Sequence, residues 1–207
     1  DSDVPHHGRF TGSSQRMHRR SGHDCADRKE TYVTNAQHVR ASSRALTVCS
    51  VILIIVGIPT MAHEVIGAIY GVTTYTATLA VSASCVSAFV GLVFFVWLAR
   101  FAPSVLSWIA AFMWGTGGAL IIAGIGNGVT DAAVQSTSLG GETMDVMTSV
   151  VSGPLIEEAA KGIGALMLIL AARRTLQHPA QGAILGGLVG LGFAWGEDIG
   201  YYVSALE

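Results

Sequence analysis

The chain has 207 residues, of which 51% are hydrophobic and only 13% charged, and its formal net charge is −2. Soluble domains carry about 25% charged residues to cover their surface, so the composition excludes an ordinary water-soluble globule. The small net charge does not describe the chain either, because eight of the 12 Lys and Arg residues lie within the first 44 positions.

Residues 1–44 mix Arg, His, Ser and Asp without hydrophobic periodicity, and they read as a disordered, basic cytoplasmic tail. Acidic residues interleave the basic ones, so no nucleic-acid partner is expected. The stretch is too long and too polar for a signal peptide. Cys25, Cys49 and Cys85 form no CxxC pair, and Cys49 and Cys85 read as small apolar helix residues with no redox or metal role.

Residues 45–207 read as an all-α, polytopic transmembrane bundle. Apolar runs of about 20 residues occur at 46–69, 77–99, 104–128, 150–172 and 180–203. Pro59 is expected to kink or end the first span early, leaving His63 to Tyr70 near the interface. His63-Glu64 lacks the second histidine of a zinc HExxH motif, so it reads as polar residues at a helix end. The other histidines cluster in the tail, apart from His178 in the cytoplasmic loop, and none of these reaches the glutamates of the fourth and fifth spans.

Orientation follows from the basic residues. Arg40 and Arg44 precede span one, Arg100 joins spans two and three, and Arg173 and Arg174 join spans four and five. The other two connections contain no Lys or Arg, and the second carries Asp131, Glu142 and Asp145. The positive-inside rule therefore places the N-terminus in the cytoplasm.

Span four opens Pro154-Leu155-Ile156-Glu157-Glu158-Ala159-Ala160-Lys161. On a helix Glu157 and Lys161 share a face, while Glu158 points about 100° away. In span five Phe193, Glu197 and Tyr201 form one stripe. Gly182, Gly186, Gly190, Ala194 and Asp198 form a second stripe beside it, which reads as a close-packing seam. Glu157 lies 16 residues from Arg173 and Glu197 lies 17 from Ala180. At about 1.5 Å per residue both sit about 24–26 Å from the cytoplasmic ends of their helices. Antiparallel neighbours would hold the two carboxyls level, in the outer half of the membrane. Level carboxyls in a low dielectric titrate as a unit, an arrangement suited to activating water. A proton or ion path and simple helix packing remain the two other readings of these residues.

The segment Pro154 to Lys161 resembles the EExxK motif of the PrsW family of intramembrane proteases. Gly190-Leu191-Gly192-Phe193-Ala194-Trp195-Gly196-Glu197-Asp198-Ile199-Gly200-Tyr201 resembles its FxxxE motif. Trp97 to Pro103 and Phe112 to Gly115 are similar to a weaker family pattern. The likeness covers about Phe89 to Glu207. It implies a membrane peptidase of the CAAX-protease and bacteriocin-immunity superfamily, multi-pass in a bacterial cell membrane. The implied substrate is a membrane-spanning protein, such as an anti-sigma factor, cut near the outer face. Carried onto this chain, Glu157 would be the general base. Glu197 would be its partner and Glu158 the third catalytic residue, orienting the pair, with Lys161, Phe193 and Asp198 in support. Glu157 and Glu197 are also the candidate ligands of a divalent metal such as zinc. Asp198 departs from the family's usual Asn. The family's later histidine helix does not occur before Glu207, so the chain is expected to be a C-terminally truncated, inactive fragment. A non-enzymatic immunity or scaffold protein and a proton-coupled transporter are the alternatives.

Overall fold

The computed structural model describes residues 13–98, 104–136, 143 and 146–207. They belong to two units, Asp1–Ala41 and Ser42–Glu207. In the first unit the backbone is helical from Ser13. The sequence reading expects no order there, and that stretch has no apolar stripe for a helix to bury.

The second unit is a helical bundle with no strand among the described residues. Helix α1 is Ser13–Ile69, α2 is Thr74–Leu98, α3 spans 105–135, α4 spans 147–172, and α5 is Pro179–Leu206. Each predicted span corresponds to one of these helices. Three of them, over Arg40–Ile69, Thr74–Trp97 and Val105–Gln135, are long and apolar enough to cross a membrane. Charges at Glu157, Glu158 and Lys161 take α4 below that measure, and seven glycines dilute α5. The outward faces of α1 and α2 are apolar, with Ile55, Ile58, Phe89, Val90, Phe94 and Trp97 all exposed. Water does not sustain such a surface, and hydrocarbon does. The chain is a multi-pass membrane protein.

Helix starts follow from short polar side chains. The Thr73 hydroxyl accepts the Thr76 N–H at 3.2 Å ahead of α2, and the Ser104 hydroxyl accepts the Ser107 N–H at 3.2 Å ahead of α3. Gln181 accepts the Gln177 N–H at 2.7 Å, and Pro179 occupies the first turn of α5. A left-handed Gly71, with φ of +85°, turns the chain between α1 and α2.

Proline does not end α1. The helix continues through Pro59 to Ile69, which corrects the expectation of an early end. The Thr60 hydroxyl donates to the carbonyls of Val56 at 2.8 Å and Gly57 at 3.0 Å, supplying hydrogen bonds in the turn that proline disturbs. Just there α1 crosses α3 so closely that a Cβ on Gly117 would collide with the Gly57 carbonyl and the Thr60 side chain.

Helix α3 contains a wide π turn, Trp114–Ala119, in which every residue is buried. The extra residue in such a turn rotates the remainder of the helix about its axis. Trp114 can thus face α4 while Leu120, Ala123 and Asn127 face elsewhere. The core gathers on α5, where Leu185, Leu188, Val189 and Phe193 meet Leu53 of α1, Trp114 of α3 and Leu168 of α4. Close approach of α3 and α5 rests on Gly115, opposite the Val189 carbonyl, and Gly192, opposite the Phe112 carbonyl. Gly187 admits the Phe95 ring of α2. The predicted seam is therefore on the wrong face. Gly186 and Gly190 meet open space and Ala194 is exposed.

Gly192→Ala should lower stability by about 1–3 kcal/mol, because its methyl would press on backbone rather than on a flexible side chain. Gly186→Ala should be neutral or stabilising by about 0.5–1 kcal/mol. Thermal unfolding of the two variants in one detergent checks both signs.

Candidate active site

The charged turn of α4 is held from two sides. The Trp114 indole donates to the Ala160 carbonyl at 3.0 Å, and its ring fills the space left by Gly164. This fixes the rotation of α4 about its own axis. Glu157 and Lys161 then point inward, with side-chain exposures of 26% and 19%, and Glu158 points out at 73%. The Lys161 ammonium lies 3.8 Å from the Glu157 carboxylate and 2.8 Å from that of Glu158. It also rests 4.0 Å from the centroid of the buried Phe193 ring. Such a cation–π contact is worth about 0.5–2 kcal/mol and ties α4 to α5.

On α5 the face Phe193, Gly196, Glu197, Gly200 turns toward a cavity of about 350 Å³. Glu157 lines the same cavity, and Glu197 lies within electrostatic range of Glu157, Lys161 and Asp198. Among the described residues Glu197 has neither a hydrogen bond nor an ion pair. The space is large enough to admit water, and its lining offers polar partners in His63, Glu64, Asn127, Glu157 and Glu197. Asp198 points elsewhere and accepts a hydrogen bond from the Ser87 hydroxyl of α2 at 2.8 Å. Of the residues singled out in the sequence, Glu157, Glu197 and Phe193 line the cavity. Glu158, Lys161 and Asp198 do not.

The cavity also has walls that the sequence reading missed. His63 and Glu64 of α1, together with Gly67 and Ala68 one turn later, line it, as does Asn127 of α3. His63 shares the cavity wall with the two glutamates, on the part of α1 that follows Pro59. Asn127 Oδ1 is buried and has no hydrogen-bond partner. The signal for His63 was register: it stands 17 residues from Leu46, the interval that separates Glu197 from Ala180. Arg100, Glu142, Asp145 and the stretch Phe101 to Pro103 lie outside the described residues.

Residues 103–207, half of the chain, match the family described as PrsW family intramembrane metalloprotease. No curated protein and no solved structure matches. The match begins after Phe89 to Ala102, so that part of the expected likeness falls outside it. A metal would need several donors at bonding distance. Among the described residues no three His, Cys, Asp or Glu side chains gather closely enough to hold one. Two glutamates, with His63 and Glu64 elsewhere on the cavity wall, do not by themselves make a metal centre as placed.

Asp198→Asn should keep its stability within about 0.5 kcal/mol, because the amide oxygen can accept the same Ser87 hydrogen bond. Asp198→Ala should cost about 1–3 kcal/mol through the lost partner. Unfolding of both variants beside Ser87→Ala tests the assignment.

Proposed function

The chain belongs to the PrsW family of intramembrane metalloproteases, and on that premise we propose that it hydrolyses a peptide bond of a membrane-anchored protein in the cavity that Glu157 and Glu197 share. What carries this reading is the pair of carboxyls, delivered by two helices to one polar cavity in a bundle with a lipid-facing surface. A charge at bilayer depth costs about 2.5–3.5 kcal/mol on insertion scales. What supports a chemical role over helix packing is the pattern of pairing. Lys161 is already matched by Glu158 at 2.8 Å, and Glu197 holds nothing in place.

A water between the two carboxyls would be polarised by Glu157, whose negative charge Lys161 offsets. Its proton passes to Glu157 as the water oxygen adds to the scissile carbonyl carbon. Glu197 orients the same water through a second hydrogen bond. Glu158, exposed and paired to Lys161, sets the position of that lysine and is not a catalytic residue in this scheme. Phe193 shapes the wall and seats the ammonium. No step runs through a metal, since the side chains as placed do not gather around one.

The basic residues support a cytoplasmic N-terminus, which puts the cavity in the outer half of a bacterial cell membrane. The substrate is then a single-span protein cut near the outer face, and an anti-sigma factor is one protein of that kind.

Full-length protein in liposomes should cleave a single-span substrate. Glu157→Gln should lower that rate by about 10²–10⁴-fold, and Glu197→Gln by at least about tenfold. Glu158→Gln should stay within about threefold, as Glu158 does not line the cavity. Undiminished cleavage in both of the first two variants would contradict the assignment, and pH-driven flux without proteolysis would replace it with a proton path.

A further inference from the structure

We propose that His63 is a third catalytic residue of this cavity, the imidazole that protonates the leaving amine of the cleaved bond. The role rests on the peptidase reading of the cavity and deepens it. Hydrolysis of an amide needs a proton for the departing nitrogen as well as a base for the water. The two glutamates provide for the second requirement. Of the side chains lining the cavity, only His63 carries an imidazole, whose two ring nitrogens let it accept a proton at one and donate at the other.

Three observations place it there. His63 lines the cavity together with Glu64, Glu157 and Glu197, so an imidazole and three carboxyls border one space. Among the described residues it makes no hydrogen bond or ion pair, which leaves both ring nitrogens free for a substrate. The third is the continuation of α1 past Pro59, supported by the Thr60 hydroxyl.

The step balances without any added reagent. One O–H bond of water breaks, its proton goes to the Glu157 carboxylate, and the oxygen bonds to the carbonyl carbon. Collapse of the tetrahedral adduct breaks the C–N bond. The nitrogen keeps the electron pair and takes a proton from the His63 imidazolium. The neutral imidazole then recovers the proton held by Glu157 through cavity water.

The test uses the full chain in liposomes with a set of quenched-fluorescent single-span peptides, and measures zinc content and thermal unfolding in parallel. His63→Ala is expected to lower kcat about 10²-fold with KM little changed, and added imidazole is expected to restore part of the rate. His63→Gln, close in shape, is expected to unfold like the native chain and to be equally slow, which separates chemistry from folding. Native-like cleavage in His63→Ala, with Glu157→Gln inactive, would overturn the role of His63 and leave the peptidase reading standing. No cleavage by the native chain, or undiminished cleavage in Glu157→Gln, would overturn both. A loss that imidazole does not relieve would make His63 structural. Stoichiometric zinc lost with His63→Ala would make it a metal ligand. Either result overturns the proposal.

Discussion

Hydrocarbon tolerates neither an unpaired charge nor a free backbone polar group, and most features of this bundle answer to that constraint. Helices keep most backbone hydrogen bonds within one segment, and beside Pro59 and in the π turn of α4 the hydroxyls of Thr60 and Ser152 bond carbonyls of their own helix. Charges are handled by enclosure. Glu157 and Lys161 sit inside the bundle, and the carboxyl without a cation, Glu197, faces a cavity roomy enough for water. The cavity exists because glycines at 115 and 192 bring α3 and α5 together on one side, while α1 and α4 stand off on the other.

Within that enclosure a few side chains do several things at once. Trp114 sets the rotation of α4 through the Ala160 carbonyl, and so decides that Glu157 points in and Glu158 points out. Lys161 offsets the charge of Glu157, anchors to Glu158 and rests on the Phe193 ring. It thereby couples the charged turn of α4 to the helix that carries Glu197. Asp198 is engaged by Ser87 of α2 and does not join the three carboxyls of Glu64, Glu157 and Glu197 that line the cavity.

Much of this was legible in the residues. Apolar runs of membrane-spanning length located all five helices, and helical periodicity separated Glu157 from Glu158. The paired glutamate motifs pointed to the family that the match over residues 103–207 shows. Three features were not legible, each for a physical reason. The glycine stripe with strict four-residue spacing looked like the seam, yet contact falls on Gly187, Gly192 and Gly196, because neighbouring helices and not spacing decide which face packs. Proline signalled a kink or an early end, and the helix runs on through it to Ile69, with the Thr60 hydroxyl bonded to the Val56 and Gly57 carbonyls. The role of Asn127 depends on the rotation introduced by the π turn in α3, which no periodicity announces.

The central claim is a water-filled cavity shared by Glu157 and Glu197 inside a lipid-facing bundle. It is tested most directly by thiol accessibility in nanodiscs, in a background with Cys25, Cys49 and Cys85 replaced by Ala. Glu157→Cys and Glu197→Cys should react with a charged, membrane-impermeant thiol reagent, and Leu166→Cys, on the exposed apolar face of α4, should not. Equal inertness of all three would place the glutamate positions in a dry interior or in lipid, and would contradict a hydrolytic site there.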